Sequence, residues 1–376
     1  MVDQGMQSDV GARLRNARTA QGLTVRGLAR KARLSDTAIH LIEDGSSLPG
    51  LPVLEKLAGA LAVNRNWLAF GDLLDVQIVA APGFVPSDEF KRYQALTFGP
   101  EKFVPEPAKY LDHEGCLAYL SLVSEPSYKA ALEGAPLREL SAAVFEAAGN
   151  GPLSLVCLGS GHARYEDRFL NLLLSRVPQL GVVCVDISSA LLILGGRRIC
   201  DTLKSRPAIA STFVFGDFLT MPWETALRPD RRTCLTLFGY TYCNLQDAEG
   251  FLRAIPLNRG DLAILDITLA ADPPESDPAL QRPPEYQTRL FDFLVGPLMK
   301  RHRASELTIE TEIDRQASQY TVRLLASTQV GDRYTVGTVK RIDLPSLSAA
   351  IAPQFTVAKV FRYSDGLRAM VLLVRN

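Results

Sequence analysis

The chain has 376 residues, 47% apolar and 22% charged, enough to bury two cores and outside the composition of a disordered or fibrous chain. Its 41 basic and 41 acidic side chains cancel, so no global field draws it to nucleic acid or a membrane, and any DNA affinity must come from a local patch. The start Met1-Val2-Asp3-Gln4 does not read as a signal peptide, and no run reaches the roughly 18 apolar residues of a membrane helix, which predicts a cytoplasmic protein without membrane contact.

Cys116, Cys157, Cys184, Cys200, Cys234 and Cys243 form no Cys-x-x-Cys pair. They are expected as buried thiols in a reducing compartment, with no metal site.

From Val10 to Gly71, apolar residues recur at helical spacing: Leu14, Leu23, Leu28, Ile39, Ile42, Leu54, Leu57, Leu61 and Leu68. Gly22, Ser35, Gly45 and Pro49 punctuate them as helix ends. The order Leu14-Arg15-Asn16-Ala17-Arg18, Gly22-Leu23-Thr24, Leu34-Ser35, Ile42-Glu43-Asp44-Gly45 and Leu57-Ala58 resembles the helix-turn-helix domain of the Xre, or phage repressor, family. That resemblance implies a domain over residues 1–71 and a recognition helix at Ser35 to Asp44. Thr24, Ser35, Thr37 and His40 would face double-stranded DNA, bound through residues 10–71, and the assembly would be a homodimer. Arg13, Arg15, Arg18, Arg26, Arg30, Lys31 and Arg33 are candidates for phosphate contacts. The recognition helix itself holds Asp36, Glu43 and Asp44 and no Arg or Lys, so a protein-contact or dimerisation role stays open beside DNA binding.

Residues 72–107 carry Pro82, Pro86, Pro100, Pro105 and Pro107 without a sustained period, which predicts a Pro-rich linker wrapping over a surface. Residues 108–150 read as a helical cap over the mouth of a site, where Tyr110, Tyr119 and Tyr128 either line the mouth or fill core.

Residues 151–376 alternate strand and helix. Strands are expected at Leu153 to Leu158, Val182 to Asp186, Thr212 to Phe215, Cys234 to Phe238 and Leu262 to Asp266. Helices are expected at Tyr165 to Ser175, Ala190 to Leu203, Gln246 to Ala254 and Tyr286 to Arg301. This is an α/β, Rossmann-like parallel sheet whose ligands bind beyond the carboxyl ends of its strands. The first strand ends in Gly159-Ser160-Gly161, where a missing Cβ permits positive φ and close approach of a ligand. The second ends in Asp186, placed to accept ribose hydroxyls. The third ends in Gly216-Asp217-Phe218, with a carboxylate for an adenine amino group and a ring to lie against the base. His162-Ala163-Arg164-Tyr165 stands where a dinucleotide fingerprint has its third glycine. The loop therefore suits one ribose without phosphate, as in S-adenosylmethionine. The tail runs Tyr320 to Leu325, Tyr334 to Ile342 and Phe355 to Val374 are expected as antiparallel edge strands of the same sheet, the usual close of a class I methyltransferase.

Leu158-Gly159-Ser160-Gly161, Val185-Asp186-Ile187-Ser188 and the loop Phe238-Gly239-Tyr240-Thr241-Tyr242-Cys243-Asn244-Leu245 together resemble the histidine-specific methyltransferase family over about residues 130–300. The resemblance implies a methyl transfer from S-adenosylmethionine to a small, amino-acid-like acceptor at nitrogen. Gly159, Ser160, Gly161, Asp186, Ile187, Asp217, Phe218, Phe238 and Gly239 would hold the donor and Asn244 the acceptor. Tyr240 and Tyr242, where the family loop has small residues, would form an aromatic wall able to favour cationic groups. Tyr286 falls in a common substrate-facing place, and His162 is a candidate base. The alternative is a transcriptional regulator whose methyltransferase-like domain senses S-adenosylmethionine or a metabolite. DNA-base methylation ranks low, since no Asp/Asn-Pro-Pro-Tyr/Phe motif follows the fourth strand.

Overall fold

The computed structural model describes residues 4–71, 76–177, 179–206, 209–277, 284–316 and 319–376. Five helices open the chain: α1 (Gln4–Ala20), α2 (Val25–Ala32), α3 (Asp36–Glu43), α4 (Leu51–Leu61) and α5 (Arg65–Phe70). Short polar residues, Thr24, Ser35 and Asn64, start α2, α3 and α5. Thr24 Oγ1 accepts the Gly27 amide at 3.0 Å to begin α2, and Ser35 Oγ accepts the Ala38 amide at 3.1 Å to begin α3. Leu14, Leu28, Ile39, Leu54, Leu57, Leu61 and Leu68 close over one another with no exposed surface. Glu43 is buried among them, and Arg18 reaches it through Nε at 2.6 Å and Nη2 at 2.8 Å while Arg15 joins at 3.4 Å. Arg13 is likewise spent on the carbonyls of Leu68 and Ala69. The expectation that Arg13 and Arg18 contact phosphates is therefore corrected: a buried carboxylate and orphan helix-end carbonyls take those guanidinium groups first, whereas Arg15 keeps its side chain 54% exposed.

From Val76 on, the stretch expected as a linker is structured. β1 (Val76–Ala80) pairs in parallel with β4, and α6 (Pro86–Phe98) follows it. Ile78, Ala81, Tyr93, Thr97 and Val104 are buried, so a few scattered anchors hold segments whose periodicity is too short to read. Next come α7 (His113–Val123), α8 (Pro126–Glu133) and α9 (Leu137–Ala148).

The sheet strands are β2 (Leu153–Leu158), β3 (Leu180–Asp186), β4 (Ser211–Phe215), β5 (Arg232–Leu237) and β6 (Leu262–Thr268). Between them lie α10 (Arg164–Leu174), α11 (Ser189–Leu203) and α12 (Ala248–Ala254), with α13 (Pro284–Val295) after β6. Every residue of β2, β3 and β6 is buried, as expected where helices cover both faces of a parallel sheet. The chain then forms β7 (Leu307–Gln316), β8 (Gln319–Thr328), β9 (Arg333–Arg341), α14 (Leu344–Ile351), β10 (Phe355–Arg362) and β11 (Arg368–Arg375). The large sheet has the order β1-β4-β3-β2-β5-β6-β11-β10, with β11 antiparallel to both neighbours.

One part of the tail departs from expectation. β8 and β9 do not extend the large sheet; with β7 they build a separate antiparallel sheet. The reason is competition for an edge, because β11 already occupies the free side of β6 along its whole length. The second sheet instead buries Leu307, Ala326, Tyr334 and Val336 against Phe293 and Leu294 of α13.

The opening helices are docked, not tethered. Phe70 packs on Phe213 with ring centroids 5.1 Å apart, and Arg197 Nη1 donates to the Phe70 carbonyl at 2.8 Å. A Cβ on Gly196 of α11 would lie 2.9 Å from the Phe70 ring, so only glycine lets the two helices meet this closely. Among the described residues no helix is long and apolar enough to cross a membrane.

Candidate active site

A cavity of 1460 Å³ opens at the carboxyl ends of β2 to β5 and runs beneath the second sheet. Gly159 and Gly161 line it with φ of +61° and +51°, and Ser160 lies between them. A Cβ on Gly159 would stand 3.2 Å from Thr241 and 3.5 Å from Phe218, filling the cradle the loop leaves open. Asp186 and Ile187 line the same wall. Asp186 Oδ2 accepts the Gly161 amide at 2.7 Å and Oδ1 the Ser188 amide at 2.8 Å. Burial pushes this carboxyl up to about 6, against the pull of those two bonds.

Asp217 and Phe218 also line the cavity. Asp217 Oδ1 accepts the Leu219 amide at 2.9 Å, and Oδ2 accepts Tyr93 Oη at 3.2 Å with Arg92 at 3.5 Å. The Phe218 ring meets Phe251 edge-on. These residues therefore fit a ligand carrying a ribose and a flat base: two carboxylates at neighbouring strand ends, a ring, and a glycine cradle.

Phe238 packs on Phe169 and Tyr165 at the cavity floor, and the Gly239 amide donates to Asp266 Oδ2 at 3.0 Å. Tyr240, Asn244 and Tyr286 line the wall. Arg368, buried and paired with Asp266, lies over the rings of Tyr363 at 4.4 Å and Tyr240 at 5.2 Å and so steadies that wall. Asn244 Nδ2 points to Glu106 Oε1 at 3.5 Å, while its Oδ1 is buried with no hydrogen-bond partner. Glu106 also pairs with the buried Lys109 and accepts Tyr110 Oη at 3.2 Å.

Tyr242 is corrected. It has no exposed surface and does not line the cavity, because its ring fills the core that β5, β6 and α12 share. Its neighbour Cys243 is buried too, with Sγ accepting the Thr268 amide at 3.3 Å. His162 does line the cavity, its Nδ1 3.3 Å from Tyr119 Oη and its Nε2 without a partner. Burial, with Arg164 and Arg198 nearby, pushes the imidazole down to about 3, so it is neutral at physiological pH and a weak base.

Sequence reasoning missed Arg92, Tyr93, Glu106, Lys109, Glu166 and Arg341, all cavity-lining. Only Glu166 had a signal, lying one turn into the helix after the glycine loop.

On the opening domain, Thr37 and His40 of α3 are exposed. Thr24 and Ser35 are exposed as well, with their hydroxyls already used as helix caps. Arg26 pairs with Asp36 at 3.1 Å, whereas Arg30, Lys31 and Arg33 stand on the surface.

Strand order, the antiparallel β11 and the cavity at the strand ends define an α/β domain of the class I methyltransferase fold, preceded by a helix-turn-helix. Residues 9–69 match a family described as helix-turn-helix domain. No curated protein matches the chain. Among solved structures, the restriction-modification controller protein from Aeromonas hydrophila is 34% identical, covering 16% of this chain and 94% of its own, with a TM-score of 0.16. A sugar N-methyltransferase from Streptoalloteichus is 13% identical over 64% of this chain and 87% of its own, at 0.36. The magnesium protoporphyrin IX methyltransferase from Synechocystis, solved with bound S-adenosylhomocysteine, is 9% identical over 77% of this chain and all of its own (100%), at 0.41.

Proposed function

We propose that the chain is a methyltransferase that binds S-adenosylmethionine at the ends of β2, β3 and β4 and methylates a small, amino-acid-like acceptor at nitrogen. The observation that carries this reading is a single cavity joining Gly159, Asp186 and Asp217 to Tyr240 and Asn244. Asp186 accepts the ribose hydroxyls with the lone pairs its two backbone bonds leave free, Asp217 takes the adenine amino group, and Phe218 covers the base. When bound, the donor would supply a sulfonium methyl group for in-line attack by the acceptor's nitrogen lone pair, the C–S electron pair staying on sulfur so that S-adenosylhomocysteine is the leaving group. Asn244 orients the acceptor through its unpartnered Oδ1, and Glu106 beside it receives the proton an ammonium must lose first. The aromatic wall and second sheet exclude water from this step.

The helix-turn-helix, through the exposed face of α3, contacts duplex DNA or a second copy of the chain. Its docking on α11, the helix that begins beside Asp186, favours a second reading in which donor occupancy is reported to the opening domain as a transcriptional signal. Isothermal titration with S-adenosylhomocysteine tests the first reading. Asp186→Ala should weaken binding at least about tenfold, and equal affinity in both proteins would overturn the donor site. Salt-sensitive binding to DNA upstream of its own gene, with no turnover on any amino acid, would favour the second.

A further inference from the structure

We infer that Arg341 anchors a carboxylate of the acceptor, so that the substrate class is a carboxylic acid with an apolar body and a nitrogen nucleophile. The inference rests on the methyl-transfer reading and adds a residue to it. Arg341 ends β9 and lines the cavity although only 3% of it is exposed. Its Nε is held by Asp277, whose Oδ2 also accepts Tyr320 Oη at 3.1 Å, while its buried Nη1 has no partner. A guanidinium oriented from behind, with an unmet donor at its other end, matches a group that offers acceptor oxygens. Its single charge, already shared with Asp277, suits a planar, singly charged carboxylate better than a doubly charged phosphate.

Position gives the second argument. The Lys340 amide donates to the Cys243 carbonyl at 2.9 Å, which brings the end of β9 alongside the loop that carries Asn244. The acceptor's two polar ends would then meet two groups with unmet bonding capacity, Arg341 Nη1 and Asn244 Oδ1. Around them the roof presents Ile309, Val322, Leu324 and Val339, a surface for an aromatic or branched body.

The test loads the full chain with S-adenosylhomocysteine and titrates it calorimetrically with phenylalanine, tyrosine, tryptophan, leucine and histidine, each beside its primary carboxamide. Arg341→Met alone strands the buried Asp277 charge, so the working variant is the double Arg341→Met, Asp277→Asn, with thermal melting as the check on its fold. At least one acid should bind the native chain on the order of ten times more tightly than its carboxamide, and the double variant should lose that preference while still binding S-adenosylhomocysteine. A native chain that prefers no acid over its carboxamide, or a double variant that keeps the preference, overturns the role of Arg341 alone. Failure of the native chain to bind S-adenosylhomocysteine overturns the donor reading and this one with it.

Discussion

Tyr93 Oη donates to Asp217 Oδ2 at 3.2 Å, tying α6 to the end of β4. Burial, and then the Asp217 charge, push the phenol well above its ordinary range, so it stays a hydrogen-bond donor at any working pH. Asp217 is thereby aimed by a helix from the segment between the two halves of the chain. Tyr93→Phe should leave the melting temperature nearly unchanged and weaken S-adenosylhomocysteine binding by about threefold to tenfold, read by titration calorimetry.

Gly196 and Gly59 both sit inside helices and should respond to alanine with opposite signs. Nothing lies within 4 Å of a Cβ on Gly59, so Gly59→Ala should add about 0.5 to 1 kcal/mol through helix propensity. A Cβ on Gly196 meets the rings of Phe70 at 2.9 Å and Phe213 at 3.1 Å, and overpacking there should cost about 1 to 3 kcal/mol. Denaturant unfolding measures both.

Glu166 should give stability a negative pH slope just above neutrality. Burial, reinforced by Asp186, Asp167 and Asp266, raises its carboxyl from 4.5 to about 8. A raised carboxyl holds its proton more tightly in the folded chain, so it favours the fold most where both states are protonated and loses that advantage where the unfolded chain ionises and the folded one does not. That contribution is complete below pH 4.5 and lost as pH rises to about 8. Asp186 and Asp266, at about 6, lose theirs earlier, and His162, lowered from 6.5 to about 3, slopes the other way only below its unfolded value. The window from 6.5 to 8 thus isolates Glu166. Stability should fall across it by about 1 to 2 kcal/mol, and Glu166→Gln should flatten the curve.

The DNA reading predicts a shallow salt dependence. Arg13 and Arg18 are engaged inside the domain and Arg26 is paired, which leaves Arg30, Lys31 and Arg33, with the half-exposed Arg15, for phosphates. In gel shifts across salt concentrations, Lys31→Ala and Arg33→Ala should each reduce the magnitude of the log–log slope by about 1, whereas Thr37→Ala should change affinity without changing the slope.

Much of the strand-end wall of the cavity was legible in the chain itself. A strand closing in Gly159-Ser160-Gly161, with Asp186 and Asp217 at the next two strand ends, is local grammar: β-branched runs stop where glycine or a capping carboxylate stops them, and a parallel sheet gathers those stops on one edge. The helix-turn-helix was legible for the same reason, since Thr24 and Ser35 begin helices through bonds to residues three places on. Tyr242 was misjudged because an irregular loop has no period, and only packing decides which of two tyrosines two residues apart enters the core. Likewise, Arg18 turned inward because Glu43, 25 residues away in the chain, is buried beside it. Whether β8 and β9 joined the large sheet depended on β11 reaching the β6 edge, and that choice brought Arg341 into the cavity. Spacing and side-chain chemistry determined the elements and where they end; competition among distant partners for edges, burial and charge, which only the folded chain resolves, decided what faces the cavity.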